Sequence, residues 1–159
     1  MYIKINSITP EKFAPYGQVV QLIPETKPTI SVPTVNFWKQ QAILSADGEM
    51  EVGLLNVNKM KMVFDVLENH FHSQTGLICT SGEWAIGVGI PSDTVPKAES
   101  LQAFRIPKGQ LVILHKKCWH TAPYPLGHEQ SSMLVICKRN FLDNDTVFEK
   151  IDEESSLGL

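Results

Sequence analysis

Short apolar segments recur along the whole chain and are separated by glycine, proline, serine and aspartate residues. The segments are rich in valine, isoleucine, phenylalanine and leucine, which suit the half-buried surface of a sheet. Many short strands without a long helical period are typical of an antiparallel sandwich or barrel. We therefore predict an all-β fold in a single domain over residues 1–159, with strands at residues 18–23, 52–57, 61–67, 74–79, 84–89, 101–106, 110–114 and 133–138.

One short helix is predicted near the N-terminus. Thr9 is a favoured N-cap residue, Pro10 suits the first helical position, and Glu11 places a negative charge in the first turn. At the other end, residues 152–159 are acidic and serine-rich, and we predict that they fray.

Composition limits the class of partner. The net charge is -3, and the lysines and arginines form no stripe, so we expect neither nucleic acid nor a membrane as a partner. The apolar runs are too short to cross a bilayer, and the first residues contain no apolar signal segment. Cys79, Cys118 and Cys137 are too widely spaced for a disulfide framework or a metal pair. These features predict a cytoplasmic protein.

Polar side chains follow apolar ones on a single predicted strand face. Residues two apart share a face of a strand, and the face that starts at Met62 continues to Glu68, His70, His72 and Gln74. Buried imidazoles need a partner, and a His-x-His pair aims two nitrogens at one spot, as a bound cation requires. The alternative is a solvent-facing hairpin whose histidines cap and pack.

A second segment also ends in histidine, because a strand, a glycine turn at residues 107–110 and another strand lead to His115 and His120. Together the two segments resemble the cupin superfamily, which carries a His-x-His motif with a carboxylate and a later histidine. Gln74 stands where the carboxylate is usual. The resemblance implies a cupin-type antiparallel β-barrel, also called a jelly roll or double-stranded β-helix. It also implies a divalent metal ion, with nickel, zinc and manganese as candidates, bound by His70, His72, Gln74 and His120.

Within the cupins, the chain resembles the ureidoglycolate lyase family over nearly its whole length. The matching segments are residues 8–17, Glu68-Asn69-His70 with Ser73-Gln74, residues 101–104, Gly109-Gln110, His115 with Trp119-His120, and Arg139 with Asn144. The arginine-rich stretch of the family near residues 35–42 is absent. The resemblance implies metal-assisted cleavage of ureidoglycolate to glyoxylate and urea, a step in purine and allantoin breakdown.

Three further residues are candidates for catalysis and substrate binding. Glu68 shares the face of the histidines, so it acts either as a general base or as a partner that orients an imidazole. His115 is either an acid–base group or a structural hydrogen-bond donor. Arg139 either clamps a substrate carboxylate through a bidentate contact or lies exposed at a strand end.

The sequence is also compatible with two other functions, and it indicates an oligomeric state. The chain is alternatively another cupin enzyme acting on a small hydroxy acid or sugar, or a binding module that holds a small ligand without turning it over. Edge strands of a barrel are usually covered by pairing, and the related cupins are commonly homodimers. We therefore predict a homodimer, with residues 2–5 as the edge that pairs or swaps.

Overall fold

The computed structural model describes residues 1–20 and 24–159, and these residues are mostly in strands. In chain order the elements are β1 Tyr2–Ser7, α1 Pro10–Phe13, β2 Gly17–Val19, β3 Ile30–Val32, β4 Val35–Phe37, β5 Met50–Asn58, β6 Val63–His70, β7 Thr75–Ser81, β8 Glu83–Val88, a 3₁₀ turn Ala98–Ser100, β9 Gln102–Ile106, β10 Leu111–Leu114, β11 Tyr124–Leu126, β12 Gln130–Lys138, α2 Phe141–Asn144 and β13 Thr146–Gly158.

Two curled sheets face each other and form a half-barrel, which confirms the predicted all-β, cupin-type fold. Sheet A has six strands in the order β11-β8-β9-β1-β13-β6, and sheet B has five in the order β2-β10-β7-β12-β5. Strands β3 and β4 form a separate two-stranded hairpin. Pairing is antiparallel except at β1, which runs parallel to both β9 and β13.

Apolar side chains on the two faces of sheet A form two separate clusters. Trp84 and Ile86 of β8 point between the sheets, where they pack in one cluster with Val112 of sheet B. The residue between them, Ala85, joins a cluster on the opposite face with Ile3. Each fully buried large side chain contributes about 1.5–3 kcal/mol. The packed cluster between the sheets fills one end of the half-barrel interior and leaves the other end for a cavity.

The predicted N-terminal helix is confirmed, together with its cap. Pro10 begins α1, and the Thr9 hydroxyl accepts a hydrogen bond from the Lys12 backbone N–H at 3.3 Å. Every predicted strand overlaps a strand of the structure, although residues 21–23 of the first one lie outside the described residues. No helix in the described part of the chain is both long and apolar enough to cross a membrane.

The predictions for the two chain ends were wrong. The tail does not fray, because β13 extends to Gly158 and pairs with both β6 and β1. Residues 2–5 are not a free edge, because β1 lies between β9 and β13 in the interior of sheet A. The physical reason is the burial of Ile3 and Ile5, which are each 7% exposed.

Candidate functional site

Backbone pairing brings three chemically active residues together at the open end of the interior. Glu68 and His70 are two residues apart near the end of β6, so they share a face. His120 lies in the segment after β10, and its backbone exchanges two 2.8 Å hydrogen bonds with the backbone of Glu68. Residues paired in this way have neighbouring side chains. His120 is thereby held beside Glu68 although the two residues are 52 positions apart in the chain.

The three side chains form a compact group of potential metal ligands. One Glu68 oxygen lies 3.4 Å from His70 Nε2, and the other lies 4.0 Å from His120 Nε2. One ligand atom from each residue falls within 4.8 Å of the other two. Both imidazoles are almost completely buried, at 4% and 5% exposure. Imidazole and carboxylate groups together suit a divalent transition metal, so this group can hold an ion.

The hydrogen bonds of the two imidazoles leave the same nitrogen free on each. His120 Nδ1 is 2.9 Å from the Cys118 carbonyl, so this nitrogen carries the proton and donates it. His70 Nδ1 is 3.3 Å from the Thr146 hydroxyl, which itself donates to the Phe141 carbonyl. Thr146 must therefore accept from His70. Both Nε2 lone pairs are left facing Glu68, which is the arrangement found in histidines that bind metals.

Burial sets the charge of the group. It lowers the pKa of His120 to about 4, and together with the nearby His120 it lowers the pKa of His70 to about 4. Burial raises the pKa of Glu68, an effect that His70 partly opposes. Both imidazoles are therefore neutral near pH 7, and neutral imidazole is the form that binds a metal.

The stability of the metal-free protein is expected to fall between pH 6.5 and 5. Histidine in the unfolded chain has a pKa near 6.5, whereas His70 and His120 titrate near 4 in the fold. The unfolded chain therefore binds more protons in this window, and acidification favours unfolding. Glu68 has the opposite effect on stability, since its pKa is raised in the fold. It is a single group, however, whereas two histidines contribute to the loss of stability.

Urea unfolding of chelator-treated protein at several pH values measures this dependence. His120→Gln is expected to make it shallower, whereas His72→Gln, which removes an exposed imidazole, is expected to leave it unchanged. Equal urea midpoints at pH 6.5 and 5 in the unmodified protein would contradict the expectation.

Thr146→Val is expected to weaken metal binding by about 10–100-fold, the usual effect of losing a group that orients a ligand. The change removes the hydroxyl that fixes the His70 ring and keeps the side-chain volume. Thr146→Ser retains the hydroxyl and is expected to bind the ion as the unmodified protein does. Titration with zinc at fixed pH gives the affinities. A thermal midpoint measured without metal separates ring orientation from a general loss of stability, and equal affinities in both variants would count against Thr146 as a positioning residue.

The ligand group opens into a cavity of about 410 Å³ between the two sheets. The walls are mainly apolar and include Leu55, Leu77, Val135 and Phe141. Thr75 also lines the cavity, and its buried hydroxyl has no hydrogen-bond partner among the described residues. The charged lining residues in the described chain are Glu51 and Glu68, with no lysine or arginine. The cavity suits a small ligand. Since no lysine or arginine of the described chain lines it, a basic side chain cannot hold an anionic ligand there.

The predicted strand face does not continue past His70. Strand β6 ends there, and Asp145 holds the following bend by accepting hydrogen bonds from the His72 backbone N–H at 2.8 Å and from the Ser73 hydroxyl at 2.6 Å. His72 is exposed on the surface. The Gln74 side chain accepts a 2.7 Å hydrogen bond from the Ser45 backbone N–H. Neither His72 nor Gln74 lines the cavity.

Two other predicted site residues also lie away from the ligand group. The His115 ring is 3.3 Å from the carbonyl of Ala14, next to α1, and does not line the cavity. Arg139 is exposed and forms an ion pair with Glu49 at 2.5 Å. The structure therefore brings together Glu68, His70 and His120 and separates them from His72, Gln74, His115 and Arg139.

Thr75 and Thr146 were missed by the sequence reasoning. The bend after His70 moves the inward face from even-numbered to odd-numbered positions, so that Thr75 and Leu77 face the cavity. Thr146 begins β13, beside His70 in space and 76 positions away in the chain. No local pattern in the sequence links Thr146 to His70.

A half-barrel with two imidazoles and a carboxylate in its interior defines a cupin-type protein with a candidate metal centre. The comparison with protein families identifies the family within this class, because the family described as ureidoglycolate lyase matches residues 1–156. This chain belongs to the ureidoglycolate lyase family and is an enzyme of the lyase class, as the sequence resemblance predicted.

Two individual proteins that are similar to this chain have 26% and 11% sequence identity to it. A ureidoglycolate lyase from Rhodobacter capsulatus is 26% identical over 130 residues, which is 79% of this chain and 80% of the relative. Among solved structures, a dTDP sugar isomerase from Desulfovibrio desulfuricans G20 has 11% identity and a TM-score of 0.48, and the match covers 86% of this chain and 83% of that one. The family assignment rests on the sequence comparisons and not on this structural likeness.

Proposed function

We propose that this chain cleaves ureidoglycolate to glyoxylate and urea in the cytosol, with a divalent metal held by Glu68, His70 and His120. The observation that carries the proposal is the pair of buried imidazoles whose free Nε2 atoms face one carboxylate. Family membership supports the choice of substrate. Because His72, Gln74, His115 and Arg139 lie outside the cavity, the proposal gives them no part in the reaction.

The charge of the cavity is the reason for including a metal. Ureidoglycolate carries a carboxylate, and the charged lining residues of the described chain are acidic. A bound divalent cation supplies the positive charge that attracts the carboxylate and makes the adjacent hydroxyl more acidic. Nickel, zinc and manganese all suit two imidazoles and a carboxylate.

Glu68 is proposed to carry the proton through the elimination. Its carboxylate removes the hydroxyl proton of the substrate, the carbon–oxygen double bond of glyoxylate forms, and the bond from that carbon to the ureido nitrogen breaks. The same proton then passes to the leaving nitrogen and completes urea, so no other reactant is needed. The position of Glu68 suits this role, since its carboxylate faces both imidazoles at the cavity where the substrate would lie.

The remaining cavity residues bind the substrate and exclude water. The Thr75 hydroxyl has no partner among the described residues, so it is free to bond a polar group of the substrate. Leu77 and Val135 form an apolar wall on the sheet B side of the cavity. Electrostatic attraction is stronger where water is excluded.

The experiment is an assay of urea and glyoxylate release combined with element analysis of the purified protein. We expect a bound divalent metal, loss of activity on chelation and recovery when nickel, zinc or manganese is added back. Activity that persists after complete chelation would remove the metal from the proposal. If the metal-loaded protein released no urea, ureidoglycolate would be ruled out as its substrate.

The apolar walls favour a second candidate, another hydroxy acid with an apolar group. The family's arginine-rich stretch is absent from residues 35–42, and Leu55, Leu77, Val135 and Phe141 offer more apolar surface than ureidoglycolate uses. A series of 2-hydroxy acids with longer alkyl chains tests this. Each buried methylene contributes about 0.8 kcal/mol, so affinity is expected to rise about fourfold per methylene if the walls bind the chain. A ligand that binds this way without being turned over would indicate a binding module.

A further inference from the structure

The sheet B wall of the cavity has a gap at Gly53, in the middle of strand β5. Gly53 lies on the inward face of the strand between Glu51 and Leu55, and all three residues line the cavity. Gly53 pairs directly with Val135 of β12. Among the described residues outside its chain neighbours, a Cβ atom on Gly53 would meet only Val135, at 3.9 Å, which is ordinary contact. We call this gap, bounded by Leu55 and Val135, the notch.

The strand itself does not need a glycine at this position. Glycine in the middle of a strand weakens it, and it often marks a place where a ligand approaches the backbone closely. Gly53 does not have the positive φ that would require a glycine. A β-branched residue would suit the strand better. The glycine therefore indicates that the cavity uses the space in front of it.

The surroundings of the notch are apolar and larger than ureidoglycolate requires. Leu55, Leu77 and Val135 line the same side of the cavity, and Leu142 of α2, which is 63% exposed, continues the apolar lining to the surface. The volume of about 410 Å³ lies in the range of about 300–1,000 Å³ that accommodates drug-sized ligands. Ureidoglycolate is much smaller and entirely polar. A ligand that fills the cavity is therefore longer and carries an apolar end.

We propose that this chain also cleaves N-acyl-2-hydroxyglycines with apolar acyl chains, and that the notch at Gly53 holds the acyl chain. The proposal rests on the lyase activity proposed above. These compounds have the carboxylate, the hydroxyl and the carbon–nitrogen bond of ureidoglycolate, but an alkyl chain replaces its terminal amino group. With the reacting groups at Glu68, His70 and His120, the acyl chain extends toward sheet B, where the notch lies. Unlike the 2-hydroxy acids of the second candidate function, these compounds keep the bond that the elimination breaks.

The reaction uses no group beyond those already proposed. Glu68 takes the hydroxyl proton, and the electron pair left on the oxygen forms the carbon–oxygen double bond of glyoxylate. The electron pair of the carbon–nitrogen bond leaves with the amide nitrogen. The same proton then passes to that nitrogen and completes a primary amide, so that no water, oxidant or second substrate is consumed.

The first test is glyoxylate release from the N-acetyl, N-butanoyl and N-hexanoyl compounds by metal-saturated protein, with ureidoglycolate as the reference substrate. Each buried methylene improves binding about fourfold, so kcat/KM is expected to rise by about that factor per methylene. The corresponding N-acylglycines lack the hydroxyl and do not react. Calorimetry is expected to show the same rise in their affinity, which measures binding of the chain apart from turnover.

Gly53→Val fills the notch with a residue that suits a strand, so its thermal midpoint is expected to be unchanged or higher. We expect the variant to lower the ratio of kcat/KM for the N-hexanoyl compound to that for ureidoglycolate by at least about 10-fold, since one methylene in an apolar pocket discriminates by about 10–200-fold. Val52→Leu is the matched control, because Val52 precedes Gly53, is 67% exposed and does not line the cavity. It is expected to leave the ratio unchanged.

The outcomes separate this proposal from the proposed function. If ureidoglycolate were cleaved but the N-hexanoyl compound were not, or if the affinity for N-acylglycines did not depend on chain length, the acyl-chain site would be overturned and the lyase activity would stand. An unchanged ratio in Gly53→Val would also overturn it. If N-acylglycines bound as expected but neither class of substrate were cleaved, the lyase activity would fail, and cleavage of the N-acyl compounds with it.

Discussion

His120→Ala is expected to lower the affinity for a divalent metal by at least about 100-fold, the upper end of the effect seen when only an orienting group is lost. The change removes one of two imidazoles that offer a free Nε2 to the site. Lyase activity is expected to fall with the metal. Titration with zinc at fixed pH measures the affinity, and urea release at a fixed metal concentration measures the activity.

The matched control is His72→Ala, since His72 follows His70 by two positions but is exposed and lines no part of the cavity. It is expected to leave metal affinity unchanged. Gln74→Glu adds a second control, because the Gln74 side chain is engaged with Ser45 and its added charge is expected to have little effect on the ion. A large loss of affinity in His72→Ala would restore the ligand set that the sequence pattern predicted.

The contrast between His70 and His72 shows where strand periodicity stops being informative. Alternation correctly placed Glu68 and His70 on the inward face of β6. It failed two residues later because Asp145, far along the chain, accepts hydrogen bonds from His72 and Ser73 and bends the backbone. A one-residue change of register moves every following side chain to the other face. The pattern of residues 62–74 alone cannot predict this bend, because the carboxylate that holds it belongs to Asp145, far along the chain.

His120 was predictable for a different reason. Its position follows from a motif resemblance in a second segment and not from the periodicity of the first, and the paired backbones of Glu68 and His120 bring the two segments together. The same limit explains the errors at the chain ends. Acidic residues and serine in β13 suggested a frayed tail, but the pairing of β13 with β1 buries Leu157 and orders the strand. Tertiary pairing outweighs local propensity in strands.

Glu68→Gln is expected to reduce kcat by about 10²–10⁴-fold at saturating metal, the range found for removal of a general acid–base group. The amide keeps the size of the side chain and an oxygen that can face the imidazoles, but it can no longer take up the hydroxyl proton. Metal affinity is expected to fall as well, since a neutral amide replaces a carboxylate, and saturating the protein with metal separates this effect from the chemical step.

Glu51→Gln is the control for cavity charge, because Glu51 lines the same cavity but lies outside the ligand group. Its effect on kcat is expected to be small. The pH dependence gives a second readout: with Glu68 as proton acceptor, kcat falls on the acid side as the carboxylate becomes protonated. Glu68→Gln is expected to lose that acid limb. If Glu68→Gln regained full kcat once saturated with metal, Glu68 would be a ligand alone, and the proton would have to pass through another group in the cavity.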